Sequence, residues 1–451
     1  MTRFDQEEPT GLREVKDLLS TDNLTAVPGV LSELSTIEIT EVLERLSDKR
    51  RAVVYRLLPK ERALEVFEAL DPSLQGDLIR SLRDGEVAAI FADLDPDDRV
   101  WLLDELPASL APRLLRGLSE PERQLTNAVL GYPLNSIGRR MSPEYVSVRA
   151  DQTAGEALAR VRSRLRTDTE VYELPVVDSQ RRLLGVARLR DLLAAADDAP
   201  LRSIMTETRG VHATAEAEFA ARQALETGAL ALPVVDSEER LLGILTIDDA
   251  ARILEIEESE DAARQGGAEP LRRPYFATTV LEIVRSRVVW LLVLAVGATL
   301  TVQVLEVFEG TLAEVTMLAL FVPLIIGTGG NTGNQAATTV TRALAMQDVR
   351  VRDVWSVLGR ELQVGASLGL LLGTVALGAG TLIYEWHIGL ILGLTLLSVC
   401  TMAASVGGVM PLVAKRIKVD PAVFSNPFIT TFVDAAGLVI YFLIARAVLG
   451  F

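Results

Sequence analysis

The last apolar stretch of the chain carries one acidic residue, and polar neighbours share its helical face. In SNPFITTFVDAAGLVIYFLIA, Asn426, Thr430 and Asp434 follow one another at intervals of four residues, so a helix places them on one side. An ionised carboxylate inside a membrane span is unfavourable unless it faces water, a cation or a partner. No Lys or Arg lies at that depth, although a neutral, hydrogen-bonded carboxyl remains an alternative. Asp434 is therefore the main candidate functional group.

The donor atoms on this face limit the chemistry that it can perform. Carboxylate, amide, hydroxyl and carbonyl oxygens suit Mg2+, Ca2+ or Mn2+ rather than soft metals. The chain has two histidines and one cysteine, Cys400, which lies in an apolar run, so a transition-metal site is not supported. Mg2+ releases water reluctantly, and a two-fold dimer would bring two copies of Asp434 to one axis around a hydrated ion.

A second apolar stretch, PLIIGTGGNTGNQAAT, combines Pro323 with four glycines and three side-chain amides. Lipid cannot satisfy an interrupted backbone, so we predict an irregular span that lines a water-filled cavity. Its expected pore-lining residues are Gly329, Asn331 and Asn334. The alternative is close helix packing through small residues, which explains the glycines but not the amides.

The distribution of charge divides the 451-residue chain into two halves. Mean hydropathy is +0.28 although 24% of the residues are charged, and the charges concentrate before about residue 274. A span needs roughly 20 apolar residues. The C-terminal half offers five, at 288–307, 315–341, 362–384, 388–413 and 424–449. We predict an all-α transmembrane domain of five helices.

Basic residues in the short loops predict the orientation of these spans, since Lys and Arg are retained in the cytoplasm. They lie before span 1, between spans 2 and 3, and between spans 4 and 5, at Arg272, Arg273, Arg285, Arg287, Arg342, Arg350, Arg352, Arg360, Lys415, Arg416 and Lys418. The N-terminus is expected in the cytoplasm, without a secretory signal, and the C-terminus outside. A net charge of −16 argues against nucleic acid as a partner.

The charged half contains two kinds of repeat. Residues 12–130 repeat short apolar helical stripes that end at Pro or Asp-Pro, which predicts an all-α helical solenoid. Next, YELPVVDSQRRLLGVARLRDLL and LALPVVDSEERLLGILTIDDAARIL each follow a strand and a helix. These two units resemble a tandem pair of α/β cystathionine-synthase-type (CBS) domains, which usually regulate the protein that carries them.

The resemblance to CBS pairs also implies a nucleotide site. Gly243, Thr246 and Asp249 match the residues that commonly hold a ribose in such domains. The first unit has Gly185, Arg190 and Asp191, but Arg188 stands at the hydroxyl position. We therefore expect ATP, or a similar nucleotide, at one site at most.

Acidic residues cluster in three places in this half. They are Asp93, Asp95, Asp97 and Asp98; Glu216 and Glu218; and the run from Asp248 through Glu255, Glu257, Glu258, Glu260 and Asp261. Carboxylates that folding brings together repel one another, so a divalent cation would stabilise their compact arrangement. We interpret the set as a cation-sensing switch.

The solenoid, the CBS pair, PLIIGTGGNTGNQAAT and DPAVFSNPFITTFVDAAGL together resemble the bacterial MgtE magnesium channel family over nearly the whole chain. The resemblance implies a homodimer in the bacterial inner membrane, with a central pore that cytosolic Mg2+ closes. Its domains would be a helical N domain at 1–135, CBS domains at 136–199 and 200–262, a connecting plug helix at 263–287 and a transmembrane domain at 288–451. The helix itself is expected at about 269–287.

The resemblance implies two sets of Mg2+ ligands. In the pore, Asp434 would hold the ion with Asn426 and the Thr430 carbonyl below it. The sensor carboxylates would be Glu216, Glu218, Asp249, Glu257, Glu260, Asp261, Asp420, Asp93 and Asp95. Leu134, Asn135, Gly228 and Arg252 stand where the family can have acids.

Two other functions remain alternatives. A secondary transporter could use Asp434 as a proton relay for Co2+ or Mn2+. A CBS-regulated membrane enzyme is a third class. The sequence offers no nucleophile, Cys/His site or Walker-type loop, so we expect no enzyme.

Overall fold

The structure is a computed structural model, and it describes residues 11–164, 171–346, 348–420 and 426–450, except the side chain of Asn426. The chain divides into two compact units. The first consists of Met1–Glu257 and Arg272–Thr278, and the second of Glu258–Leu271 and Thr279–Phe451. Each unit is therefore assembled from two segments of the chain.

The first unit begins with ten short helices. They are α1 Leu12–Ser20, α2 Val27–Glu33, α3 Thr36–Glu44, α4 Asp48–Tyr55, α5 Lys60–Ala69, α6 Pro72–Ser81, α7 Asp84–Asp93, α8 Pro96–Glu105, α9 Ala111–Gly117 and α10 Glu120–Leu130. Pro72 and Pro96 open their helices directly after Asp71 and Asp95, at the position where no N–H is needed. The predicted all-α N-terminal region is confirmed.

Three buried polar side chains recur in this region, each 24 residues after the last. Arg51, Gln75 and Arg99 donate to the carbonyl of the residue eight positions earlier, at 2.7–2.9 Å. The acceptors are Leu43, Phe67 and Phe91, in the last turns of α3, α5 and α7. Carbonyls in a last turn lack partners in their own helix. The repeat in the sequence is therefore also a repeat of hydrogen bonding.

Two similar α/β units follow. The first contains β1 Val148–Arg149, α11 Ala154–Arg164, β2 Glu173–Val177, β3 Leu183–Arg188 and α12 Leu189–Ala194. After the short α13 Leu201–Ile204, the second contains β4 Val211–His212, α14 Ala217–Thr227, β5 Ala231–Val235, β6 Leu241–Thr246 and α15 Ile247–Gln265. In both, the first strand pairs parallel to the second, which pairs antiparallel to the third. The predicted tandem CBS pair is confirmed.

The expected connecting helix is not formed over its predicted length. Helix α15 ends at Gln265, and the next helix, α16 Val280–Val307, begins only at Val280. Gly267 between them has φ 68°, a left-handed conformation that favours glycine and ends a helix. Pro270 and Pro274 then disfavour helix for the residues before them. Only the last part of the predicted helix is helical, and it continues into the first span.

The second unit contains five helical segments long and apolar enough to cross a membrane, within the residues described. Their bounds are Val280–Val307, Thr316–Ala345, Val351–Ile383, Trp386–Arg416 and Pro427–Leu449. The α-helices within the last four are α18 Val322–Ala345, α19 Val354–Ile383, α20 Trp386–Arg416 and α21 Asn426–Leu449, and the short α17 Glu309–Glu314 precedes α18. The predicted number of spans is confirmed.

Although the second span begins with a 3-10 helix, Thr316–Phe321, helix α18 is continuous through its glycines, so the predicted interruption there is wrong. Pro323 lies in its first turn, where it removes no needed hydrogen bond. The glycines allow close helix contact instead: a Cβ on Gly407 of α20 would stand 2.1 Å from the Gly333 carbonyl oxygen. The sequence alternative of packing through small residues therefore accounts for Gly333.

Candidate functional site

Helix α21 places Asp434 inside the second unit, against helix α18. The carboxyl is half-buried, and its Oδ1 is buried without a hydrogen-bond partner among the described residues. A Cβ added to Gly330 of α18 would lie 3.6 Å from that oxygen. A glycine on the facing helix therefore leaves space beside the carboxylate. A buried oxygen without a donor is suited to a bound cation or water.

One turn before Asp434, a hydrogen bond joins the same two helices. Asn334 Nδ2 donates to Thr430 Oγ1 at 3.1 Å. Both residues were predicted at the pore. The side chain of the third predicted ligand, Asn426, lies outside the residues that the structure describes.

Next to these contacts, α18 has an uncovered face that carries polar residues. Gly327, Asn331, Gln335 and Thr338 are exposed and recur at intervals of three or four residues, so they form one stripe. Gly329, which we expected in the pore lining, is instead buried, and a Cβ there would lie within 2.9 Å of Val399 and Val433. Asn331 is exposed in this single chain, and its pore-lining role stays a prediction.

Within the second unit, an arginine occupies the space between two predicted sensor carboxylates. Arg264 Nη2 donates to Glu260 Oε2 at 2.8 Å, and its Nη1 donates to Asp420 Oδ2 at 2.5 Å. Both acids were predicted from the sequence, but the arginine that joins them was not. The i, i+4 spacing of Glu260 and Arg264 was a visible signal, whereas Asp420 is 156 residues away.

In the first unit, α8 of the helical region brings aspartates to the start of α15. Arg252 of α15 lies 3.3 Å from Asp98 Oδ1. Burial, reinforced by Asp98, raises the pKa of Asp249 to about 7. Burial and the nearby Asp249 also raise the pKa of Asp97, whose Oδ1 has no hydrogen-bond partner in the described part of the chain. These acids repel one another, and Arg252 partly offsets the charge at Asp98.

Two guanidinium groups lie close to one aromatic ring in the same region. The guanidinium of Arg140 stands 3.5 Å from the ring centre of Trp101, and that of Arg252 stands 5.1 Å from it. Asp104 in turn contacts Arg139 Nη2 at 2.6 Å. This cation–π arrangement was not predicted, because its members lie far apart in the sequence.

The remaining predicted sensor acids are scattered. Asp93 pairs with Lys60 at 2.8 Å, Glu218 pairs with Arg222 at 2.9 Å, and Glu216 is exposed at the start of α14. Asp95 precedes α8, and Glu257 and Asp261 lie on α15. Among the described residues, no three His, Cys, Asp or Glu side chains are grouped so that they could hold a metal ion. The predicted sensor ligands are therefore not assembled into such a group here.

The predicted nucleotide residues have structural roles. A Cβ on Gly243 would stand 2.6 Å from the Ser142 carbonyl oxygen, because Ser142 pairs with Ile244 of β6 in an antiparallel bridge. Thr246 Oγ1 donates to Asp249 Oδ2 at 2.8 Å, and Arg190 pairs with its neighbour Asp191. A cleft of about 340 Å3 lies elsewhere between the two CBS units, lined by residues that include Glu173, Arg188, Thr206, Arg209 and Gln223.

Three family models match this chain. The "MgtE intracellular N domain" matches residues 34–135, the "CBS domain" matches 135–198 and 201–256, and the "divalent cation transporter" model named MgtE matches 322–444. The described parts of these regions are the helical region, the two α/β units and the last spans.

Characterised proteins resemble the chain over most of its length. The magnesium transporter MgtE of Thermus thermophilus is 34% identical, with 96% of this chain and 98% of that protein aligned. The magnesium transporter MgtE of Enterococcus faecalis is 31% identical over 70% of each chain. Among solved structures, the cytosolic domain of the Mg2+ channel MgtE in complex with ATP matches with a TM-score of 0.50 and 30% identity, covering 54% of this chain and 99% of that one.

Proposed function

Because the chain belongs to the MgtE family and is a multi-pass membrane protein, we propose that it is a homodimeric Mg2+ channel in the bacterial inner membrane, with Asp434 as its main ion-binding group. The observation that carries this proposal is the buried, unpartnered Oδ1 of Asp434 within a span. Among the described residues, no basic side chain pairs with this carboxyl, and an ionised carboxylate at that depth needs a counter-charge or water. A passing hydrated Mg2+ supplies both.

The uncovered stripe on α18 supports the homodimer. Lipid cannot hydrogen-bond Asn331 and Gln335, so a second copy or a water-filled passage must cover them. A two-fold axis beside this stripe would bring both copies of Asp434 towards one passage. Mg2+ keeps most of its water shell, so the Thr430 hydroxyl and the Asn334 amide would contact those water molecules and not the ion itself.

The cytosolic carboxylates support closure by Mg2+. Arg264 neutralises the charges of Glu260 and Asp420, whereas the charges of Asp97 and Asp249 are poorly compensated. A divalent cation at either place would stabilise the arrangement that binds it. We propose that this arrangement is the closed state of the channel. The remaining predicted sensor acids would become Mg2+ ligands when the cytosolic domains rearrange into that state; they are Glu216, Glu218, Glu257, Asp261, Asp93 and Asp95. The N-terminus is then cytoplasmic and the C-terminus outside.

A proton-coupled transporter of Co2+ or Mn2+ is the second candidate, and the same Asp434 carboxyl would carry the proton. Purified protein in liposomes separates the two functions. We expect Mg2+ influx, read with an internal Mg2+ dye, without any pH gradient. Influx that requires a pH gradient would support the transporter.

Two variants test the site itself in the same assay. Asp434→Asn removes the charge and keeps the shape, so Mg2+ influx should fall to the level of empty liposomes. Asp353→Asn, the same change at the N-cap residue of α19, is the matched control and should retain influx. Wild-type influx through Asp434→Asn would refute the proposed site.

ATP at the CBS pair is a separate proposal, and the cleft beside Arg188 and Arg209 favours it over the predicted residues. Two arginines near Thr206 and Thr208 offer a phosphate group charge and hydroxyl donors. Equilibrium dialysis with ATP tests this. Arg209→Ala should weaken binding, whereas Thr246→Val should not.

A further inference from the structure

A short segment directly before the first span packs on the N-terminal helical region. Residues Arg272–Thr278, here called the pre-span segment, belong to the first unit although they follow the CBS pair in sequence. Ala277 packs against the hydrophobic core that α1–α9 share. The helical region thus contacts the chain at a point beyond the CBS units.

A buried carboxylate anchors this segment. Asp77, on α6, is 5% exposed, and Arg273 Nη2 lies 2.9 Å from both its Oδ1 and its Oδ2. Arg80, one turn along α6, also pairs with it. Because Asp77 is buried, its pair with Arg273 is screened less by solvent than a surface ion pair, so removal of Arg273 weakens the contact between the segment and α6 more than loss of a surface pair would, although Arg80 still compensates the carboxylate.

Two further contacts hold the segment in place. The guanidinium of Arg45 lies 5.0 Å from the ring centre of Phe276. The segment also forms its own turn, in which the Ala277 and Thr278 amides donate to the Pro274 carbonyl at 2.9 and 3.1 Å. Thr278 Oγ1 closes this turn on the Arg273 carbonyl at 3.1 Å. The turn is therefore a defined structure and not a loose connection.

The first span begins where the segment ends. Thr279, the next residue, caps α16 by a reciprocal hydrogen-bond pair with Glu282. No flexible linker separates Thr278 from the helix that becomes span 1. A displacement of the pre-span segment must therefore be accommodated at the start of α16.

We propose that the helical region acts directly on the first span through the Asp77–Arg273 contact, in addition to any signal through the CBS pair. This inference rests on the proposed Mg2+ channel function. When Mg2+ repositions the helical region, the contact pulls or releases the pre-span segment and so changes the position of α16. The contact is one mechanical connection between sensing and the pore.

The first experiment measures Mg2+ inhibition of influx in liposomes that carry the full chain. Arg273→Ala should raise the Mg2+ concentration for half-inhibition roughly tenfold, the loss expected for one charge-assisted hydrogen bond to a buried group. Arg272→Ala is the matched control, since Arg272 is exposed and immediately adjacent. Asp77→Asn should add little to Arg273→Ala in the double variant. The same half-inhibiting Mg2+ concentration in Arg273→Ala and Arg272→Ala would overturn the proposal.

The second experiment needs no transport and so separates this inference from the proposed channel. Chymotrypsin can cut after Tyr275 and Phe276, which are exposed, but only once the segment opens locally. Arg273→Ala should speed this cleavage in the purified full chain several-fold over both the wild type and Arg272→Ala. Unchanged cleavage would refute the contact even if the channel is active. Absent Mg2+ influx in the wild type, with faster cleavage in Arg273→Ala, would refute the channel and not the contact.

Discussion

Asn334 Nδ2 donates to Thr430 Oγ1 at 3.1 Å, and this hydrogen bond joins α18 to α21 one turn before Asp434. Thr430 and Asp434 are four residues apart, so whatever fixes the first residue orients the second. The amide that made α18 unusual in sequence thus has a definite partner. The bond positions the carboxylate beside Gly330.

Thr430→Val should slow Mg2+ influx roughly fivefold while leaving the protein folded. The change keeps the side-chain shape and removes a hydrogen bond worth about 1 kcal/mol, so the Asp434 carboxylate is held less firmly. Thr431→Val is the control, because the Thr431 hydroxyl donates to the Pro427 carbonyl in its own helix. Liposome influx at fixed Mg2+ is the measurement. Equal slowing in both variants would contradict the role of the Asn334 contact.

Arg264→Ala should lower the cytosolic Mg2+ concentration that closes the channel. In the structure the guanidinium neutralises Glu260 and Asp420, so a divalent cation must displace it. All three groups are partly exposed, which limits the expected shift to roughly fivefold. Dose–response curves of influx against cytosolic Mg2+ provide the test. The control is Arg113→Ala, which breaks an ion pair with Asp84 on the helical region; a higher Mg2+ requirement in Arg264→Ala would contradict the prediction.

Stability should fall as pH rises between about 4 and 7. Burial raises the pKa of Asp249 to about 7, from an ordinary value of 3.8, and raises those of Asp97 and Asp98. The folded state therefore binds more protons than the unfolded state in this window, so the free energy of unfolding decreases as these protons leave. Tm in detergent should be higher at pH 5 than at pH 7.5, and Mg2+ should raise it chiefly at pH 7.5.

Asp249→Asn should flatten this pH dependence, because the variant has no proton to lose at that position. Asp198→Asn, at an exposed site, should leave it unchanged. A wild-type Tm that rises steadily from pH 5 to pH 7.5 would contradict the assignment.

Gly407→Ala should destabilise the second unit. Its Cβ would overlap the Gly333 carbonyl oxygen at 2.1 Å, which forces α18 and α20 apart. Gly378→Ala on α19 is the control, since a Cβ there meets nothing within 4 Å and a helix gains up to about 1 kcal/mol from the change. Detergent Tm measures both. If the Gly407→Ala protein were as stable as the Gly378→Ala protein, α18 and α20 would have to lie farther apart than in this structure.

Local patterns in the sequence predicted most of the architecture. Apolar length gave five spans, and the duplicated LPVVDS phrase gave two matching sheets. The glycines of α18 were misinterpreted as helix breakers, because their contacts with Val399, Thr430 and Ala403 depend on packing between distant helices. The connecting helix was placed too early, because Gly267, Pro270 and Pro274 were given too little weight.

Residues of the candidate site could be predicted from the sequence only where one residue is informative without its tertiary contacts. A lone carboxylate in a span, Asp434, was visible without tertiary information. Arg264 and Arg252 were not, since their partners Asp420 and Asp98 lie 156 and 154 residues away. A search for acids alone also overlooks the cations that neutralise them.

The most direct test of the central claim is ion density beside Asp434 in an experimental structure of the protein in a lipid bilayer with Mg2+. Our account predicts two subunits related by a two-fold axis, with one hydrated ion between their two Asp434 carboxylates. The Asp434→Asn protein under the same conditions should lack that density. Asp434 carboxylates turned towards lipid or packed within separate subunits, with the ion elsewhere, would contradict the account.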